Sequence, residues 1–201
     1  MADPLRVSAL ESIVSPGRYG AATRGEAGVV LQEWRPSAIV QISGAPDGEN
    51  FGQALDFLEL EALPRPRRAC PGKAATLLWN GPGRWLAVSA DAPPARFVND
   101  FREALNGSDA TVTDLSHARS VVRITGPHAC EVLLQGCPLD LELFGENDCA
   151  ASLLGHLSVQ LHGLGGGGFD VYGFRSFGVA LWEWLVDASL EYGLEVRLNA
   201  K

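Results

Sequence analysis

The 201-residue sequence predicts an α+β fold, in which mixed or antiparallel sheets carry helices packed on one face. Three observations support this. Strand-like segments come in pairs, and each pair is followed by a single helix-like segment. Two of the pairs are joined by strong turn signals, Asn80-Gly-Pro-Gly83 and the four glycines 165–168. Helical spacing of apolar residues is confined to a few separate stretches.

Taken in order, residues 1–25 are mixed and punctuated by Gly and Pro, which predicts an extended arm on the surface. Residues 29–34 (Val-Val-Leu-Gln-Glu-Trp) and 37–42 are rich in β-branched and aromatic side chains and read as two strands joined around Pro36. Residues 49–60 place Phe51, Leu55 and Leu58 at helical spacing. The Pro-rich run 63–72 then breaks the pattern and is the expected meeting point of two lobes within one domain, 1–201. Strands at 75–79 and 84–89 flank the Asn-Gly-Pro-Gly turn. After Pro93-Pro94 a helix runs to Leu105, with Phe97, Phe101 and Leu105 four apart, and Asn106-Gly107 stops it.

Strands follow at 110–115 and 120–125. A helix from Pro127 to Gln135 opens with proline, where a missing N–H costs nothing, and ends at Gly136. Residues 154–164 alternate polar and apolar side chains, as a strand with one wet face does. The glycines form the hairpin tip, and 169–174 return. The last helix spans 177–192, with Phe177, Leu181, Trp184, Leu185 and Ala188 as its apolar stripe and Gly193 as its stop.

Composition excludes several function classes. The hydrophobic fraction of 46% is enough for a real core, and the net charge of −8 argues against a nucleic-acid or anionic membrane surface. The cluster Arg65, Arg67 and Arg68 sits among prolines and reads as a solvated loop. No segment has the roughly 18 apolar residues of a membrane span. The first residues lack the pattern of a signal peptide, so a cytoplasmic location is expected. Cys70, Cys130, Cys137 and Cys149 form no Cys-x-x-Cys pair, and the expectation is reduced structural thiols.

Candidate catalytic arrangements are weak. Ser116 and His117 are adjacent in extended chain and point to opposite faces, so they cannot pair as in a hydrolase. Asp114 and Ser116 share a face, which suits a bend held by side chains bonding the backbone. His156 and His162, read as one strand, would lie roughly 20 Å apart, too far for one metal ion. The four glycines link two strands, whereas a phosphate loop leads into a helix. Gly126-Pro127 reads as a packed strand-to-helix turn, with an anion site at the helix start, beside His128 and Glu131, as the alternative.

Interface features are more promising. Ser176 is a natural N-cap for the last helix, and Arg175 serves either an internal ion pair or a contact with a partner. Trp182 and Trp184 lie on well-separated faces of that helix, so one of them is covered by a partner unless the helix is deeply buried.

The chain resembles one family over nearly its whole length. Trp79-Asn-Gly-Pro-Gly-Arg-Trp-Leu86, Asp114-Leu-Ser-His-Ala-Arg119, Gly126-Pro-His-Ala129, the run Val132 to Asp140 containing Gly136-Cys137, and Arg175-Ser176 before an aromatic-rich helix together resemble the gamma subunit of heterotetrameric sarcosine oxidase. That family is related to the folate-binding domain of the glycine-cleavage T-protein. The resemblance implies a folate-binding aminomethyltransferase-like domain in two lobes. It also implies an accessory subunit without an active site, partnered by alpha, beta and delta subunits. In such assemblies the partners carry FAD, FMN, NAD and tetrahydrofolate, sarcosine is demethylated to glycine with release of hydrogen peroxide, and the one-carbon unit passes to tetrahydrofolate. Under this reading the chain itself binds no cofactor or metal, and Arg119, Arg175, Ser176 and Trp182 are the interface candidates.

The alternative is a small stand-alone folate-binding, aminomethyltransferase-like protein, with Asp114 or Asp140 as the carboxylate facing a pterin or amine. A dimeric one-carbon regulatory domain is a third reading.

Overall fold

The computed structural model describes residues 7–23, 25–45 and 51–198. The first six residues of the expected arm, Arg24, and Glu49 and Asn50 of the expected first helix lie outside the described residues. Within the arm, β1 (Gly17–Tyr19) is a short strand followed by a 3-10 turn at Gly20–Thr23. β2 (Val29–Trp34) and β3 (Ala38–Ser43) flank Pro36, and α1 (Phe51–Leu58) follows. β4 (Ala69–Pro71) precedes the hairpin of β5 (Thr76–Trp79) and β6 (Arg84–Ser89). α2 (Pro94–Ala104) has Pro94 at its first turn, as its missing N–H permits. Next come β7 (Thr111–Asp114), β8 (Arg119–Thr125) and α3 (Ala129–Leu134). β9 (Cys149–Leu154), β10 (Leu157–Gly165) and β11 (Gly168–Phe174) lead through a 3-10 turn into α4 (Gly178–Ser189), and β12 (Leu194–Arg197) closes the described chain.

The strands form two sheets. The first has the order β1-β12-β2-β8-β11-β10-β9, antiparallel in its registered pairs except for the parallel pairing of β12 with β2. The second has the order β4-β5-β6-β3-β7 and is antiparallel throughout. Two compact units result: residues 1–34, 117–144 and 152–201 form one, and 35–116 with 145–151 the other.

Two of the expected strand pairs are not pairs. β2 and β3 belong to different sheets, as do β7 and β8. The chain changes unit between them, after Trp34 and after Ser116. The Pro-rich run 63–72, expected as the meeting point of lobes, lies wholly inside the second unit. Its proline punctuation marks irregular chain and the short edge strand β4, where a proline at the strand end loses no ladder bond. The two true hairpins do form. Gly166 and Gly167 have φ of 58° and 77°, the left-handed backbone that a two-residue hairpin turn requires.

In the first unit α3 and α4 pack on one sheet face. Leu31, Val122, Ile124, Leu161 and Val171 meet Val132, Leu133, Leu181 and Leu185 there. In the second unit α1 and α2 cover Val40, Ile42, Leu77 and Ala87, with Phe97 and Phe101 edge to face at 5.0 Å. Ile39, Leu78, Leu86 and Val88, on the opposite face of that sheet, are buried as well. This explains why β3 and β6 read as continuous apolar runs rather than alternating ones.

The last helix differs from its expected stripe. Its buried positions are Gly178, Leu181, Trp182, Leu185 and Ser189, a single face at helical spacing. Trp182 is 3% exposed and sits in the core, so its side chain is not an interface tryptophan. Trp184 is half-buried and lies over a notch of two glycines: a Cβ on Gly136 would come 2.6 Å from its ring, and one on Gly155 3.4 Å. The tryptophan-rich helix therefore satisfies both rings within the unit, because missing side chains elsewhere make room for the second.

Residues 154–164, read as one strand, break at Gly155 (φ 60°) into β9 and β10. His156 lies in this turn, exposed, while His162 is buried in β10, so they do not share a strand face.

Candidate functional site

The Asp-Leu-Ser segment is a structural bend. Asp114 Oδ1 accepts a hydrogen bond from the Ser116 amide at 2.9 Å, closing a short side-chain-to-backbone turn. The Ser116 hydroxyl, fully buried, accepts from the Ile39 amide at 3.1 Å. The Leu115 amide donates to Ile39 O at 2.8 Å. Together these bonds fix the end of β7 against β3 just where the chain leaves the second unit. Ser116 thus spends its hydrogen-bonding capacity on backbone and is no nucleophile.

The Gly126-Pro127 turn is likewise structural. A Cβ on Gly126 (φ 111°) would lie 2.5 Å from Gly28 O, so only glycine permits this close approach to the chain leading into β2. The His128 amide donates to Gly28 O, and its ring stacks on Tyr192 with centroids 4.9 Å apart.

Asp140 is exposed, and its chain neighbours Leu141 and Glu142, but not Asp140 itself, line a cleft of about 420 Å³. Cys130, Glu131, Leu134, Glu142, Phe144 and Phe169 are among its lining residues. The lining combines apolar side chains with the Glu131 and Glu142 carboxylates, so its chemistry suits a cationic or hydrogen-bond-donating group. Burial, reinforced by Glu131, Glu142 and Asp140, pushes the Cys130 thiol up, which disfavours its thiolate. Asp114 and Asp140 belong to different units.

The four cysteines are unpaired. Burial raises Cys70 and pushes Cys149 up to about 12, which makes both poor nucleophiles. Among the described residues, no three His, Cys, Asp or Glu side chains converge as metal ligands. Arg68 of the basic loop is paired with Asp148.

A polar row absent from the sequence reading crosses the face of the first sheet opposite α3 and α4. His162, Asp170 and Arg123 are successive cross-strand neighbours on β10, β11 and β8. Arg123 holds Asp170 through two hydrogen bonds, Nε to Oδ1 at 2.7 Å and Nη2 to Oδ2 at 2.8 Å. Its guanidinium lies 4.8 Å from the Trp34 ring. Burial holds the Asp170 carboxyl above its ordinary value while the two Arg123 donors oppose the shift. Burial, with the Arg123 charge adding to it, pushes His162 down to about 4, leaving a neutral imidazole whose Nε2 has no partner among the described residues. The signal for this row was available as charged or polar residues inside apolar strands, Arg123 between Val122 and Ile124 and Asp170 between Phe169 and Val171.

The remaining candidates gather where β11 runs into α4. Arg119 opens β8 directly opposite Phe174, its guanidinium 4.0 Å above the Phe174 ring. Its Nε is enclosed without a hydrogen-bond partner among the described residues, and burial lowers its pKa. The Arg175 amide donates to Ala118 O at 2.9 Å, which ties the start of the 3-10 turn to the residue just before β8. Arg175 itself is half-buried, and no ion pair is seen for it among the described residues. Ser176 does not cap α4: the N-cap is Phe177, with no side-chain hydrogen bond. The 3-10 turn over Arg175–Phe177 shifts the helix start past serine's reach. The structure thus brings Arg119, Arg175 and Ser176 to one region and leaves Trp182 in the core.

No protein-family model matches the chain. Curated relatives do. The sarcosine oxidase subunit gamma of an Arthrobacter species is 33% identical over 168 residues, covering 82% of this chain and 81% of the relative. That of Corynebacterium sp. strain P-1 is 32% identical over 171 residues, covering 83% of each. Among solved structures, a chain of the heterotetrameric sarcosine oxidase from Corynebacterium sp. U-96, solved with pyrrole 2-carboxylate, superposes with a TM-score of 0.82 at 26% identity, covering 94% of this chain and 96% of that one. The glycine cleavage aminomethyltransferase T of Bartonella henselae shares the fold, with a TM-score of 0.62 at 17% identity over 86% of this chain and 48% of that one. The order and spacing of the motifs, the two-sheet architecture and the near-complete coverage agree, and the chain belongs to the sarcosine oxidase gamma subunit family.

Proposed function

We propose that this chain is the accessory gamma subunit of a heterotetrameric sarcosine oxidase, contributing surface and stability to the assembly and no reacting group. The observation that carries the reading is coverage: the match spans 82% of this chain and 81% of the Arthrobacter gamma subunit, and 94% of this chain and 96% of the oxidase chain. The side chains support it. Ser116, Cys149 and Asp170 are committed to structural bonds, and Asp114 holds a turn. In this reading the alpha, beta and delta subunits are its partners. The alpha and beta chains carry FAD, FMN, NAD and tetrahydrofolate, and the assembly demethylates sarcosine to glycine with hydrogen peroxide as co-product and passes the one-carbon unit to tetrahydrofolate. No helix among the described residues is long and apolar enough to cross a membrane, and the assembly is proposed to work in the cytoplasm.

The test is omission. Partner chains expressed without this one should give a lower yield of assembled oxidase, with the flavin content of each assembled particle unchanged, and co-expression of this chain should restore the yield. Tetrahydrofolate-dependent turnover by the purified chain alone would overturn the reading.

A further inference from the structure

The region where β11 passes into α4 combines features that a surface facing only water does not explain. Phe174, Phe177 and Val179 are 44%, 54% and 39% exposed, three large apolar side chains within six positions. Singly, exposed apolar residues are ordinary; clustered, they mark a contact surface. Arg119 stacks on Phe174 with an enclosed Nε that lacks an acceptor among the described residues, and an unfilled buried donor of a charged group is costly. α4 starts against this spot: a Cβ on Gly178 would lie 2.7 Å from Ser120 Oγ, next to Arg119 in sequence. The helix has no side-chain cap, so its first amides and the positive end of its dipole are unsatisfied by any side chain.

Charge tells what fits. The chain as a whole carries −8, yet residues 115–122 and 171–182 contain no Asp or Glu while holding Arg119 and Arg175; the charge of nearby Arg123 is spent on Asp170. The patch is therefore locally positive on an acidic protein, with apolar side chains around it. A partner with an acidic side chain between apolar ones would complement the charges of Arg119 and Arg175 and cover both phenylalanines.

We infer that the face built from Arg119, Phe174, Arg175, Phe177 and Val179 docks a segment of a partner chain in which a carboxylate is flanked by apolar residues. The carboxylate sits between the Arg119 guanidinium and the first turn of α4, and the apolar flanks cover Phe174 and Phe177. This rests on the subunit reading above and adds to it the surface used and the chemistry of the segment received. The expected behaviour is that of an interface anchor: truncating or reversing it weakens assembly about tenfold or more.

The experiment uses the co-expressed complex, captured through a tag on a flavin-carrying partner, with retention of this chain measured against rising salt. Phe177→Asp and Val179→Asp change exposed side chains and leave the fold intact, which the melting temperature checks; Arg119→Glu reverses the charge. All three should cut retention about tenfold, and Arg119→Ala should flatten the salt dependence. In the wild-type complex, hydrogen exchange at residues 174–180 should slow relative to the dissociated chain. If the wild-type chain is not retained, the subunit reading itself falls. If it is retained and the three variants are retained equally well, with unchanged exchange at 174–180, the docking face is wrong. A wild-type chain that instead pairs with a second copy of itself, and loses that pairing on Phe177→Asp, also overturns it.

Discussion

Replacing Asp170 with Asn removes one partner of a buried ion pair and leaves the other charged. Asp170 is 1% exposed and accepts both Arg123 hydrogen bonds at 2.7 and 2.8 Å. Breaking such a pair costs about 3–5 kcal/mol, most of it the penalty for the stranded charge. Arg123 retains some relief, since its side chain is 34% exposed and lies over Trp34. The lower end of the range therefore applies, about 3 kcal/mol, which for a chain of this size lowers the melting temperature by about 6–12 °C. The double variant Arg123→Met with Asp170→Leu removes both charges together and should cost only about 1 kcal/mol, because no uncompensated group remains. Urea unfolding of the wild type, Arg123→Met, Asp170→Leu and the double closes the cycle, with Asp170→Asn measured beside them. A single variant costing less than 1 kcal/mol, or a double as unstable as Asp170→Asn, would refute the stranded-charge argument.

Three further outcomes follow from the same geometry. His162 titrates from an unfolded value of 6.5 to about 4 in the folded chain, so protonation favours unfolding. Its contribution, about 3 kcal/mol, is complete above pH 6.5 and is lost as pH falls toward 4; His162→Gln should remove that part of the slope in stability measured across pH 7 to 4. Ser116→Ala leaves the buried Ile39 amide without its 3.1 Å acceptor, and chemical denaturation should show a loss of about 1–3 kcal/mol with the subunit still retained in the assembly. Gly136→Ala drives a methyl toward the Trp184 ring and the Gly155 amide, both within 2.8 Å of the new atom; the expected cost is about 1–3 kcal/mol, reported by a shift in tryptophan emission.

Much of the architecture was legible because local chemistry and global fold agree. The Asn80-Gly-Pro-Gly83 and Gly165–Gly168 turns, the Phe97/Phe101 helix and the Pro127 turn are each set by a few neighbouring residues. The misses came where distant partners decide. β12 is four residues long and acquires strand character through parallel pairing with β2, far away in sequence. β9, Cys-Ala-Ala-Ser-Leu-Leu, has small side chains with little intrinsic strand preference. β2 and β3 look like a hairpin until the first joins one sheet and the second the other.

The same contrast holds at the candidate sites. Asp114 and Ser116 could be read as a bend because their partners are two residues apart or on the adjacent strand. Trp182 could not be placed, since the choice between it and Trp184 depends on the space left by Gly136 and Gly155. The Arg123–Asp170 pair, 47 residues apart, depends on strand order and left only the trace of two charges inside apolar runs. The exposed phenylalanines beside Arg119 became visible as a patch only once the helix start was fixed at Gly178.

This chain is proposed to work as one subunit of a heterotetrameric sarcosine oxidase. The most direct test of that role is to tag the chain in its native cell, purify it gently, and record the mass and visible spectrum of what elutes. The account predicts a yellow complex in which this 21.4 kDa chain is joined by two larger chains and one smaller one, with sarcosine-dependent peroxide formation. A colourless chain eluting alone at its own mass would contradict it.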